Sequence, residues 1–302
     1  MSQFAHDRHS GSTEVGRGLL DDLERWCGTD RSPSSPALRA ALLAHLRGAQ
    51  AAQPTMGLVH QLAARALEVA DASVRREDRA TELREHLARS CAAERGDLDR
   101  LALGTADWAV RGLKDSGAWI AALSSSGAVA AAFRLAHARG LKPGALVAES
   151  RPRCEGRDFA AALAADGIPA WLVVDAALPL LLSQAGALWL GADAVTDRGV
   201  INKIGSFAAA LAAREHSVPV YALASRRKFL PASTGSLRIE EMPPEEVWAE
   251  APAPVKPRNL YFELVPLALF TGIVVEDGVL GASEAAALAR ERELPTELAA
   301  AL

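Results

Sequence analysis

Six short apolar runs punctuate the chain after about residue 117: WIAAL (119–123), ALVAE (145–149), AWLVVD (170–175), ALWLGAD (187–193), VPVYALA (218–224) and GIVVED (272–277). Between several of them lie helix-type segments such as AVAAAFRLAHARG and FAAALAADG. A strand that is apolar along its whole length is buried on both faces, and strands alternating with helices make a mainly parallel sheet covered on both sides. The fold class read from this pattern is α/β. In open sheets of this kind, ligands bind outside the carboxyl ends of the strands, so the residues that end each run are the first candidates for a site.

The first hundred residues follow a different period. Leu19, Leu20, Leu23 and Trp26 share one face, as do Leu38, Leu42, Leu43 and Leu46, then Leu58, Val59, Leu62, Ala66 and Val69, then Leu83, Leu87 and Cys91. Spacings of three and four are those of amphipathic helices. RSPSSPALRA (31–40) reads as a linker running into a helix start. The start, MSQFAHDRHSGSTEVGRG, is polar, lacks the apolar core of a signal peptide, and is expected to be a mobile tail over 1–16. A helical domain is expected over 17–110 and a ligand-binding domain with the parallel sheet over 111–302. EEMPPEEVWAEAPAPVKPR (240–258) reads as an extended excursion, and a short closing helix is expected near SEAAALARER.

Composition limits the partners. The 302 residues carry a net charge of −4 and are 50% hydrophobic, which argues against a nucleic-acid or anionic-membrane surface. Cys27, Cys91 and Cys154 have no metal or CxxC spacing, and three cysteines suit a reducing cytoplasm better than a disulfide framework. There is no GxGxxG, GxxxxGK[ST] or HExxH, and the seven histidines are scattered; neither a cofactor nor a metal is expected. No apolar stretch is long enough for a membrane span.

Three strand ends carry polar chemistry. After WIAAL come Ser124, Ser125, Ser126 and Gly127, then a helix start. The free backbone N–H groups there suit an anion, although serine is also an ordinary helix cap. After VAE come Ser150, Arg151, Arg153, Glu155 and Arg157. The arginines suit a phosphate or carboxylate, or form a surface cluster with Glu149, Glu155 and Asp158. After ALWL comes Asp193, followed by Asn202 and Lys203. Asp193 is placed to be a general acid or base, or else to cap a turn. SRRKF (225–229) reads as a small basic patch in a loop.

GAD…GVINKIGS…REHSVPVY (191–221), ESRPRCEG (149–156), the serine-rich loop and NLYFELVPLALFTGIVVEDGVL (259–280) resemble the alpha, beta and delta subunits of translation initiation factor 2B. The superfamily also holds methylthioribose-1-phosphate isomerase and ribose-1,5-bisphosphate isomerase. The resemblance covers residues 118–280. It implies a helical domain followed by a Rossmann-like domain that dimerises, so a homodimer or higher homo-oligomer is expected. The isomerases use a cysteine and the aspartate of GAD. The resemblance puts the aspartate on Asp193, the cysteine position on or next to Ser124, and the family's Asn-Lys substrate contacts on Asn202 and Lys203; together with the strand-end residues Ser125, Ser126, Gly127, Arg151 and Glu155 these are the expected substrate-binding set.

Departures from the isomerase pattern set the functional expectation. Ser124 is a poor substitute for a thiol that titrates near 8.5, unless a strong base lies beside it. PTMGLV (54–59) has no arginine where the isomerases carry a phosphate loop. Glu155 replaces a glutamine and would repel a phosphate unless protonated or paired with Arg153 or Arg157. The expected function is therefore to bind a phosphorylated small molecule, a sugar phosphate or nucleotide, without isomerase turnover. The alternative is an aldose–ketose sugar-phosphate isomerase using Asp193.

Overall fold

The computed structural model describes residues 3–7, 10–113, 117–235 and 237–299. Four helices form the first layer: α1 (Ser12–Thr29), α2 (Ser35–Ala52), α3 (Gly57–Arg75) and α4 (Ala80–Arg111). Their apolar faces meet in one core that includes Leu19, Leu23, Leu38, Leu42, Leu46, Leu58, Leu62, Leu83 and Leu87. α2 starts where the linker ends, with the Ser34 hydroxyl accepting from Ala37 N at 3.4 Å and a proline in the first turn.

The expected tail over 1–16 is corrected for residues 3–7 and 10–16; residues 1, 2, 8 and 9 lie outside the described residues. α1 begins at Ser12, and Phe4, Ala5 and Val15 are buried in the helical core. Val15, Leu19, Leu23 and Cys27 stand four apart, so one stripe continues back through Val15 into the polar start. Phe4 packs against Gly18, where an added Cβ would lie 2.7 Å from the Phe4 Cβ.

The sheet follows, with β1 (Trp119–Leu123), α5 (Gly127–Ala138), β2 (Gly144–Ala148), α6 (Glu155–Ala165), β3 (Ala170–Val173), a short α7 (Leu178–Leu181) and β4 (Ala187–Leu190). After β5 (Ala194–Val195) and β6 (Gly199–Lys203) come α8 (Ser206–Glu215), β7 (Val220–Leu223), β8 (Phe262–Pro266), β9 (Gly272–Val275), β10 (Gly278–Leu280), α9 (Ala282–Arg290) and α10 (Thr296–Ala299). The main sheet runs β10-β9-β7-β4-β1-β2-β3, parallel except for the β10 edge. β5, β6 and β8 form a separate antiparallel sheet.

The chain winds outward from β1 through β2 to β3, then returns to place β4 on the other side of β1. That reversal opens a crevice at the carboxyl ends of β1 and β4, the standard ligand position in such sheets. Ala106 and Ala109 at the end of α4 pack into the sheet's own core with Ile120, Phe133 and Trp189. α4 thus belongs to both layers and holds the helices over the crevice.

Candidate active site

β1 delivers Ser124 to the crevice in a left-handed turn, φ +66°. Its N–H donates to Ser150 Oγ at 2.7 Å and its hydroxyl to Glu155 Oε1 at 3.1 Å. Ser126, not Ser124, caps α5, accepting from Val129 N at 3.5 Å. Gly191, just past β4, has to be glycine because an added Cβ would lie 2.9 Å from Ser126 Oγ. This close approach draws the Ser124–Gly127 loop and the Gly191–Asp193 turn together.

Asp193 is buried. Its N–H donates to Ile201 O and its carbonyl accepts from Gly57 N, both at 2.8 Å, which ties it to β6 and to the start of α3. Burial pushes its carboxyl up to about 6, against the pull of the Lys228 and Lys203 ammonium groups and with help from Glu155. Lys228 follows β7, and its Nζ donates to Ala192 O at 2.7 Å. Burial holds its pKa below the usual lysine value, opposed by the negative charges of Asp193 and Glu14.

β6 ends in Asn202 and Lys203, paired with Glu263 and Phe262 of β8. Asn202 Nδ2 donates to Ser206 Oγ at 2.9 Å. Lys203 Nζ forms a buried ion pair with Glu155 Oε1 and lies 4.7 Å from the centre of the Tyr261 ring. Tyr261 in turn donates its hydroxyl to Glu246 Oε2.

One cavity collects Ser124, Ser125, Ser126, Gly127, Glu155, Asp193, Asn202 and Lys203. Arg151 is not among its lining residues. Its side chain is exposed, and only its backbone N–H is used, donating to Asp175 Oδ2 at 2.7 Å. Of the two conditions under which Glu155 would not repel a phosphate, pairing with Arg153 or Arg157 does not occur in the structure. Arg153 goes to Glu246 at 3.1 Å and Arg157 to Glu149 at 2.8 Å, which leaves Glu155 to Lys203. Residues not foreseen in the lining include Gln53, Met56, Lys228, Tyr261 and the start of α1 with Ser10. The signal for Lys228 was available, since it follows an apolar run in the same way as the other site residues.

The cavity holds about 40 Å³, room for a few waters. It is lined by three carboxyl residues, Asp7, Glu155 and Asp193, by Lys203 and Lys228, by hydroxyls and by the N-terminus of α5. Such a set can hold an anion and exchange protons with a polyol. Among the described residues, no cluster of His, Cys, Asp or Glu could hold a metal ion, and no helix is long and apolar enough to cross a membrane.

The model of the initiation factor 2 subunit family matches residues 8–282. The chain belongs to this family. A methylthioribose-1-phosphate isomerase of Synechococcus sp. is 36% identical over 160 residues, 49% of this chain and 46% of that protein. The ribose 1,5-bisphosphate isomerase of Archaeoglobus fulgidus is 33% identical over 164 residues, 52% of this chain and 51% of that one. The match thus spans about half the length of these curated relatives. The solved translation initiation factor eIF-2B of Pyrococcus horikoshii OT3 has the same fold, with a TM-score of 0.78 at 23% identity over 92% of this chain and 94% of its own. The 5-methylthioribose 1-phosphate isomerase of that organism superposes with a TM-score of 0.73 at 22% identity, covering 95% and 85% of the two chains. A family member with this fold and these isomerase relatives fits the alternative expectation better than the silent binder.

Proposed function

We propose that the protein is an aldose–ketose isomerase acting on a phosphorylated pentose, with Asp193 as its acid. The observation that carries this reading is the Asp193 carboxyl, buried in the crevice with its pKa raised to about 6 and flanked by Lys228 and Lys203. A carboxyl with a pKa near neutrality can both give and take a proton at working pH. Isomerisation of a sugar needs such a group at an oxygen. The phosphate would face the lysines and the free N–H groups at the start of α5. The curated isomerases that share half of this chain support the same reaction class.

Ser124 weighed against turnover when no base was in view. In the fold its hydroxyl donates to a carboxylate, Glu155, which is too weak a base to ionise it, so the reading asks no ionisation of Ser124. The reading also carries a cytoplasmic homodimer. Trp171, Leu172, Val174 and Leu180 stand exposed around the β3 edge, an apolar surface that a second copy would cover.

The test is to incubate the protein with methylthioribose 1-phosphate, ribose 1-phosphate and ribose 1,5-bisphosphate and follow ketose formation. Wild type should turn over at least one, and Asp193→Asn should lose the turnover by about 10²–10⁴-fold. An inert wild type that gains turnover as Ser124→Cys would restore the silent-binder reading.

A further inference from the structure

Glu155 opens α6 and lines the cavity with its side chain only 6% exposed. Both nearby donors, Ser124 Oγ–H at 3.1 Å and the Lys203 ammonium, converge on its Oε1. Its other oxygen, Oε2, is enclosed and has no hydrogen-bond partner among the described residues. Buried polar atoms are nearly always satisfied, and an exception calls for a reason. A counter-ion for Lys203 needs one oxygen. A carboxylate held by two donors on one oxygen, on a residue that lines a cavity and whose second oxygen is unfilled, has an acceptor to spare for a ligand.

We propose that Glu155 is the second catalytic acid–base group of this site and carries a carbon-bound proton between neighbouring carbons of the sugar. The proposal rests on the isomerase reading of the same cavity. With a furanose 1-phosphate, Asp193 gives its proton to the ring oxygen as the bond from that oxygen to C1 breaks. Glu155 takes the proton on C2, and the C2–H electron pair becomes the C1=C2 bond of an enol. The enol then collapses: its O2 proton passes to the Asp193 carboxylate, C2 becomes a carbonyl, and Glu155 returns its proton to C1. One hydrogen has moved from C2 to C1 and one from O2 to the former ring oxygen. Both carboxyls end as they began, and no external oxidant or reductant takes part. Ser124 and Lys203 act as positioning residues, holding Oε1 and leaving Oε2 as the acceptor.

The arrangement also gives Ser124 a role that asks no ionisation of it. A hydroxyl that only donates to a carboxylate has no need of a thiol's acidity. The residue types of the pocket are then consistent with one another: a serine where the base is a neighbouring carboxylate, and a lysine that balances its charge.

The experiment compares wild type, Glu155→Gln and Glu155→Asp on ribose 1-phosphate and ribose 1,5-bisphosphate, with and without deuterium at C2, and follows ketose formation. Glutamine keeps an oxygen for Ser124 and Lys203 but not the charge that balances Lys203, so Glu155→Gln should melt below the wild type and still keep the upward thermal shift given by ribose 1,5-bisphosphate. Its kcat should fall about 10²–10⁴-fold. Glu155→Asp retains a base one methylene short. It should regain part of the turnover, with a larger C2 deuterium isotope effect than wild type. Glu155→Gln turnover within about threefold of an active wild type would overturn the inference alone and leave the isomerase reading standing. An unchanged isotope effect in Glu155→Asp would do the same, and it decides the matter if Glu155→Gln does not fold. A wild type inert on every sugar phosphate would overturn both.

Discussion

Asp193→Asn should make the protein more stable at neutral pH while it removes the chemistry. The carboxyl is buried, and burial raises its pKa from 3.8 to about 6 despite the opposing pull of Lys228 and Lys203. In the unfolded chain it returns to the ordinary value. A carboxyl whose folded pKa lies above its unfolded one binds its proton more tightly in the folded state. Its contribution to stability is fully present below about 3.8, declines as pH rises, and is lost once pH passes about 6. One pKa unit corresponds to about 1.36 kcal/mol, so the ionised side chain costs the fold on the order of 3 kcal/mol at pH 7.5. Asparagine has the same shape and never ionises, so it escapes that cost. In a chain of this length 1 kcal/mol moves Tm by roughly 2 °C, so the variant should melt about 6 °C higher at pH 7.5. At pH 4 the two proteins should melt nearly together. Thermal and urea unfolding at both pH values measure this. A variant that is less stable at pH 7.5 by as much as at pH 4 would refute the reasoning, since it would mean that the fold stabilises the charge.

Two further outcomes follow from buried ionisable groups. Lys203→Ala leaves Glu155 buried without its cation and should cost about 3–5 kcal/mol in urea unfolding, whereas Lys203→Ala combined with Glu155→Gln should recover much of that loss; equal costs for single and double variants would show that the pair is not coupled. His60 is buried between α2 and α3, its Nε2 3.2 Å from Pro54 O, and burial lowers its pKa to about 4. Its neutral form is the folded one, so its contribution is present above about 6.5 and lost as pH falls toward 4; His60→Gln should flatten the fall in stability across that window by up to about 3 kcal/mol, and an unaltered slope would contradict it.

Most of the sheet was legible because doubly buried strands leave an unmistakable run: WIAAL is β1 residue for residue. The floor of the site was legible for a related reason, since Ser124, Asp193, Asn202 and Lys203 all sit at or beyond strand ends where open sheets bind ligands. What was not legible depended on distance along the chain. Glu155 has arginines two residues to either side, and proximity in sequence favoured them; only the return of β6 brings Lys203 closer. Within SRRKF three cations look alike, yet Arg226 reaches Asp277, Arg227 reaches Glu94 and Asp97, and Lys228 alone turns into the cavity. The start of α1 was missed because Val15 is a lone apolar residue in a polar stretch, and its partners come from another helix.

The lining of the cavity begins at Asp7 and ends at Phe262. Contacts between residues so far apart in the chain form late in folding, after the local helices and the neighbouring strands have paired. A chain with its sheet in place but its helical layer undocked would hold Asp193 and Lys228 in water. The acid would then be an ordinary carboxylate and the lysine an ordinary ammonium, because burial is the largest influence on each. On the isomerase reading, reactivity would therefore be a property of the finished molecule, and activity on warming should fade before the helical signal does.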